Sequence, residues 1–219
     1  MKKRNLLLAA LLLILVAPSF AAKVDTLLVN SPSMNKDVQV VVVTPDAALG
    51  KKAVACPVIY LLHGYGGNAK TWIGVKPDLP QIADEKGIIF VCPDGKNSWY
   101  WDSPKDLSYR YETFVSSELV KYIDGHYKTI ADRKGRAITG LSMGGHGAMW
   151  NAIRHKDTFG AGGSTSGGVD IRPFPLNWDM SKQLGEFAYN KKVWDEHTVI
   201  NQIDKIENGD LAIIIDCGE

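Results

Sequence analysis

The stretch Arg136-Ala137-Ile138-Thr139-Gly140-Leu141-Ser142-Met143-Gly144-Gly145 decides the reading of this chain. Arg136 to Gly140 has the length and composition of a buried strand, and Gly144 to His155 reads as a helix. Between them stands G-x-S-x-G, a turn so sharp that small residues must flank the serine. Such a turn lifts a hydroxyl out of the end of a sheet and sets it over the next helix N-terminus. Main-chain N–H groups there are unpaired and meet developing negative charge. Three fixed positions alone would also suit a plain glycine-rich turn. The strand before and the helix after satisfy the structural test for a nucleophile elbow, and Ser142 is the candidate nucleophile.

The rest of the chain supplies a sheet for that elbow. Asp25 to Asn30 and Asp37 to Thr44 are dense in Val and Leu, with Pro-containing breaks, and predict two antiparallel strands at a sheet edge. Pro57 to Leu62 and Ile88 to Cys92 are continuous apolar runs that suit strands buried on both faces. Leu79 to Lys86 predicts a helix stopped by Gly87, and Tyr111 to Tyr127 spaces Phe114, Val115, Leu119, Tyr122 and Ile123 along one helical face. Ala161 to Ser166 predicts a strand, Val193 to Ile206 contains a helix, and Leu211 to Ile215 is a last apolar strand. Strands alternating with helices after an antiparallel start give an α/β fold, with a mostly parallel central sheet. Chemistry in such sheets gathers at the carboxyl ends of the strands.

His63-Gly64-Tyr65-Gly66-Gly67 follows an earlier strand, where a second oxyanion donor belongs in this arrangement. The main-chain N–H groups of Tyr65 and Met143 are the candidate oxyanion hole; losing one such donor typically raises a barrier by about 2.7–4 kcal/mol. None of the five histidines is convincing as a general base. His63 and His146 read as structural, His126 and His155 as helix-end residues, and His197 sits among charges. Trp99 and Trp101, on a loop after a strand, together with Trp72 and Arg172 to Trp178, are candidate substrate-binding aromatics. Closing the core beneath long loops is the competing role for them.

The chain has 219 residues, enough for one domain, and a formal net charge of +1. Without Lys2, Lys3 and Arg4 the count is 22 basic against 24 acidic residues, so neither nucleic acid nor an anionic membrane is indicated as partner. That basic cluster precedes an apolar run, Leu6 to Ala17, and small residues at Ser19 and Ala21: the pattern of a secretory signal over residues 1–21. The run is shorter than the roughly 20 residues of a spanning helix, which weighs against an uncleaved anchor. The expected mature domain is 22–219, exported to the periplasm or the extracellular space. Cys56, Cys92 and Cys217 lie in or beside apolar runs, with pairing left open. No metal and no cofactor is expected.

The blocks His63 to Gly67, Pro93-Asp94-Gly95, Gly140-Leu141-Ser142-Met143-Gly144-Gly145-His146-Gly147-Ala148 and Asp216-Cys217-Gly218 resemble an esterase family of α/β hydrolases. That family includes esterase D (S-formylglutathione hydrolase), feruloyl and acetyl xylan esterases, and mycolyltransferases. The resemblance implies the α/β-hydrolase fold, with helices on both faces of the sheet. It implies a serine carboxylic-ester hydrolase acting through an acyl-enzyme on a small-molecule or polysaccharide ester. It also implies a triad acid just after the Asp216 turn and a histidine some tens of residues later. The expectation is therefore a C-terminally truncated domain, nearly inert as it stands, in which Asp216 is structural. An acyltransferase acting on a sugar hydroxyl, a peptidase and a non-catalytic carbohydrate-binding protein are the competing readings.

Overall fold

Val40 and Val42 face one way along their strand, Val41 and Val43 the other, and all four are fully buried. A strand buried on both faces needs cover on both sides of its sheet. The computed structural model describes residues 22–218 and supplies that cover; the signal-sequence reading falls on residues outside these.

The strands are β1 (Lys23–Ser31), β2 (Lys36–Thr44), β3 (Val58–Leu62), β4 (Ile89–Pro93), β5 (Arg136–Gly140), β6 (Ala161–Thr165) and β7 (Ala212–Asp216). They form one sheet in the order β1-β2-β4-β3-β5-β6-β7. The first two pairings are antiparallel and the remaining four parallel. The mostly parallel sheet with an antiparallel edge is the architecture expected from the sequence.

Helices α1 (Thr71–Val75) and α2 (Leu79–Lys86) cover one face, where Val41, Val43, Leu61 and Phe90 meet Leu79, Ala83 and Trp72. Gly87 ends α2 in the left-handed region at φ 63°, the conformation that lets a helix stop abruptly. On the other face lies α3, which starts as Tyr111–Thr113, widens through a π-helical stretch Phe114–Glu118 and continues as Leu119–His126. Beside it runs α4 (Met143–Arg154), packed with α3 on Tyr60, Leu62 and Ile138. Short helices α5 (Met180–Leu184) and α6 (Lys191–Glu196) and a 3-10 segment Val199–Lys205 follow β6.

One buried carboxylate ties α3 to α4. Glu112 accepts hydrogen bonds from Trp150 Nε1 (2.8 Å), Arg154 Nε (2.8 Å) and His155 Nε2 (2.9 Å). Burial alone would raise its pKa, but the bonds from His155 and Arg154 outweigh that and hold it at about 2.

Cys56 and Cys92 are buried, Cys217 is exposed, and all three are free thiols. β7 differs from the other parallel strands, because all five of its residues are exposed.

Candidate active site

Ser142 stands between β5 and α4 with φ 54° and ψ −114°, a region that a residue with a Cβ enters at a cost of about 1–3 kcal/mol. The surroundings hold it there. The Leu141 N–H donates to the Leu62 carbonyl (3.2 Å) and the Ser142 N–H to that of Thr165 (2.9 Å), so the turn is sewn to the ends of β3 and β6. A Cβ on Gly140 would lie 2.4 Å from the Gly144 carbonyl, and one on Gly147 2.4 Å from the Tyr100 ring. Small residues around the serine are thus a packing requirement, as the motif implied.

The loop after β3 lies against the nucleophile, since a Cβ on Gly64 would touch Leu141 O at 3.3 Å and Ser142 Cβ at 3.7 Å. His63 organises this loop from inside. Its Nε2 accepts from the Gly95 N–H (2.9 Å), so Nδ1 carries the proton and donates to the Gly64 carbonyl (2.7 Å). The Gly66 N–H donates to Asn97 Oδ1 (2.9 Å) and that of Gly67 to Gly64 O (3.0 Å). Among the described residues the N–H groups of Tyr65 and Met143 have no acceptor. Met143 is buried and Tyr65 exposed, and two free N–H groups beside a serine hydroxyl are what an oxyanion needs.

Ser142 opens into a cavity of about 220 Å³ lined by Tyr65, Trp99, Ser166, Gly168, Asp170, Ile171, Phe174, Trp178 and Met180. Trp99, Phe174 and Trp178 are thus the aromatic candidates that the fold brings to this cavity, beside Tyr65. Trp101 and Trp72 are not brought there, and both are corrections to the reading from sequence. Trp101 is fully buried, stacked on Trp99 with ring centroids 5.6 Å apart and set edge-on to His146 and His197. Trp72 packs on the opposite face of the sheet with the α2 cluster. Trp101→Phe is accordingly expected to cost about 1–2 kcal/mol of stability, as a volume loss in a packed core. Trp178→Ala, at an exposed position, should stay within about 0.5 kcal/mol and weaken ligand binding. Denaturant titration beside a ligand-quenching titration separates the two; equal stability losses would reject the assignment.

No histidine lines this cavity among the described residues. His146 is fully buried, donates from Nδ1 to the Gly168 carbonyl (2.8 Å), and is pushed down to about 4 by burial. His126 caps its helix through Tyr122 O and His155 serves Glu112. His197 lines a separate, polar cavity with Glu112 and Arg154. Asp170, missed in the sequence, lines the same cavity but takes Arg172 Nε and Nη2 at 2.8 Å each, and those bonds hold its carboxyl below the usual range. A carboxylate so paired is a weak base. Ser166, also missed, ends β6 beside the elbow strand; its signal was the rule that sites gather at strand carboxyl ends. Asp216 acts through its backbone, its carbonyl accepting the Ser166 N–H at 2.7 Å.

Comparison with known proteins follows the same lines. The family model described as "Putative esterase" matches residues 31–219. An esterase of Mycobacterium tuberculosis strain H37Rv is 28% identical over 178 residues, 72% of this chain and 38% of its own length. The diacylglycerol acyltransferase/mycolyltransferase Ag85B of Mycolicibacterium smegmatis is 28% identical over 217 residues, covering 89% of this chain and 64% of that protein. A solved ferulic acid esterase superposes with TM-score 0.73 at 29% identity, covering 92% of this chain and 80% of that one. The chain spans 37% to 46% of the length of several curated relatives that it matches. Elbow, oxyanion loop, sheet order and family match agree: this chain belongs to the esterase family of the α/β-hydrolase fold.

Proposed function

We propose that this chain is a serine carboxylic-ester hydrolase with Ser142 as its nucleophile. The observation behind the reading is an exposed, strained Ser142 beside two unpartnered N–H groups at the mouth of an aromatic cavity. In the first step Ser142 Oγ bonds to the ester carbonyl carbon, and the carbonyl oxygen becomes an oxyanion between the Tyr65 and Met143 amides. Collapse breaks the bond to the alcohol oxygen, which leaves with a proton, and an acyl-serine remains. Water then attacks the acyl-serine and releases the acid and the free serine. The Ser142 proton needs an acceptor. Among the described residues no histidine lines the Ser142 cavity to take it.

The substrate in this reading is an exported esterase's substrate: a polysaccharide bearing acetyl or feruloyl groups. Its support is the wall of Trp99, Phe174 and Trp178, the basic-then-apolar N-terminus and the likeness to a ferulic acid esterase. Transfer to a sugar hydroxyl in place of water is the second reading, favoured by the acyltransferase relative.

A fluorophosphonate probe followed by intact mass measurement tests the core of it. One adduct is expected, mapping to Ser142 and absent from Ser142→Gly. That variant should also gain about 1 kcal/mol by relieving the positive φ. A labelled Ser142→Gly protein, or no adduct on protein from its native source, would sink the proposal. Product analysis with a glycan acceptor divides hydrolysis from transfer.

A further inference from the structure

Among the described residues eight non-glycine positions have positive φ; four of them, Trp99, Ser142, Ser166 and Trp178, line this cavity, and Tyr100 and Asp179 are chain neighbours of two of those. Strain of that kind persists only where the surroundings over-determine it, and it collects where a site is held in shape. For Ser142 the elbow explains it. For Trp178 and Asp179, at φ 52° and 57°, the explanation lies in what the paired turn reaches. The Trp178 carbonyl accepts from Trp99 Nε1 at 3.1 Å, and Asp179 Oδ2 accepts from the Tyr65 hydroxyl at 2.7 Å. Among the described residues the second bond is the only side-chain hydrogen bond of Tyr65, a residue that is 40% exposed. Lys182, 3.0 Å from Asp179 Oδ1, keeps the acceptor charged from the solvent side.

We propose that Asp179 is a positioning residue for the oxyanion hole: its strained turn clasps the Tyr65 hydroxyl and thereby fixes the Tyr65 main-chain N–H beside Ser142. Bonds among the described residues hold His63, Gly64, Gly66 and Gly67, but apart from the Asp179 contact none reaches Tyr65, which is followed by Gly66 at φ 76°. A charge-assisted bond at the end of the Tyr65 side chain supplies the missing restraint. Asp179 touches no reacting atom and acts through Tyr65.

The test compares Asp179→Gly, Asp179→Asn and Tyr65→Phe. Glycine accepts φ 57° without strain, so Asp179→Gly removes the clasp while favouring the native backbone. Asparagine tolerates the same backbone and keeps an acceptor oxygen. Amide exchange at Gly66 and Gly67 is expected to quicken about tenfold in Asp179→Gly and Tyr65→Phe, with α4 unchanged. Asp179→Asn should stay within about threefold of the parent. The kinetic arm rests on the ester-hydrolase reading. On an aryl ester, kcat should fall about tenfold with KM within about twofold, and the double variant should be no worse than either single. Unchanged exchange at Gly66 and Gly67 in both disrupting variants overturns the proposal, as do additive kinetic losses. If the parent neither turns over nor labels at Ser142, the hydrolase reading fails and the exchange arm decides the clasp alone. Should Asp179→Gly not fold, Tyr65→Phe reads the same bond from its other end.

Discussion

Gly144→Ala is expected to destabilise the protein by about 4 kcal/mol, while Gly125→Ala should stabilise it by about 0.5–1 kcal/mol. Both glycines lie in helices, and propensity alone would favour alanine at each. The difference is distance. A Cβ on Gly144 would fall 2.2 Å from the Leu62 carbonyl oxygen and 2.7 Å from that of His63, whereas one on Gly125 would meet nothing within 4 Å. Backbone oxygens at the end of β3 cannot turn aside as a side chain can, so α4 must move away from the sheet. That movement would also part Met143 from the Tyr65 loop. For a domain of this size the loss corresponds to a fall of roughly 8–16 °C in Tm. A Gly144→Ala protein melting within about 2 °C of the parent would show that the approach of α4 to β3 is not the constraint argued here.

Acid should unfold the protein in two successive windows. His146 has its pKa lowered from 6.5 to about 4, so the fold prefers its neutral form, and the unfolded chain binds the proton first. That contribution, about 3 kcal/mol, is complete above pH 6.5 and lost as pH falls through 4. Glu112, lowered from 4.5 to about 2, contributes a similar amount, complete above pH 4.5 and lost as pH falls through 2. Asp94 is also held at about 2: burial opposes its charge, but the nearby His63 ring and the bonds from the Lys96 side chain and main-chain N–H win, so it adds to the lower window. Against a total of roughly 5–15 kcal/mol, these losses bring the protein close to unfolding near pH 3. Urea titrations at pH 7, 5.5 and 4 should show the first window, and His146→Met should flatten it. The same slope in parent and variant would reject the assignment to His146.

The elbow turn and the sheet were legible in the sequence because each is tied to a short-range rule. A strand buried on both faces must read as a continuous apolar run, and a sharp turn must carry glycine. The limits are equally physical. Trp99 and Trp101 sit two residues apart in one loop; one walls the cavity and the other fills the core, and the positive φ values at Trp99 and Tyr100 carry no glycine to announce them. Helices α1 and α5 have five residues each, below any length at which periodicity is readable or a helix stands alone. Asp170 and Asp179 come from the long connection after β6, where loop geometry decides which carboxylate meets the site. Of the histidines, His126 does end its helix through the Tyr122 carbonyl, whereas His155 reaches Glu112, 43 residues away, and His197 packs against Trp101 and Trp150; contacts that distant in sequence leave no local signal.

The bare strand β7 has a meaning for handling this chain in solution. Ile213, Ile214 and Ile215 are 40%, 76% and 61% exposed, and the strand has a neighbour on one side only among the described residues. Its outer main-chain groups and its isoleucines together form a template for adding another molecule's strand. Nothing of the usual protection (a lysine, a proline, a bulge) lies within Ala212–Asp216. This rim of the sheet is also close to the chemistry: the Asp216 carbonyl at its end holds the Ser166 N–H, and Ser166 lines the Ser142 cavity, so a strand added along β7 would lie one hydrogen bond from the site.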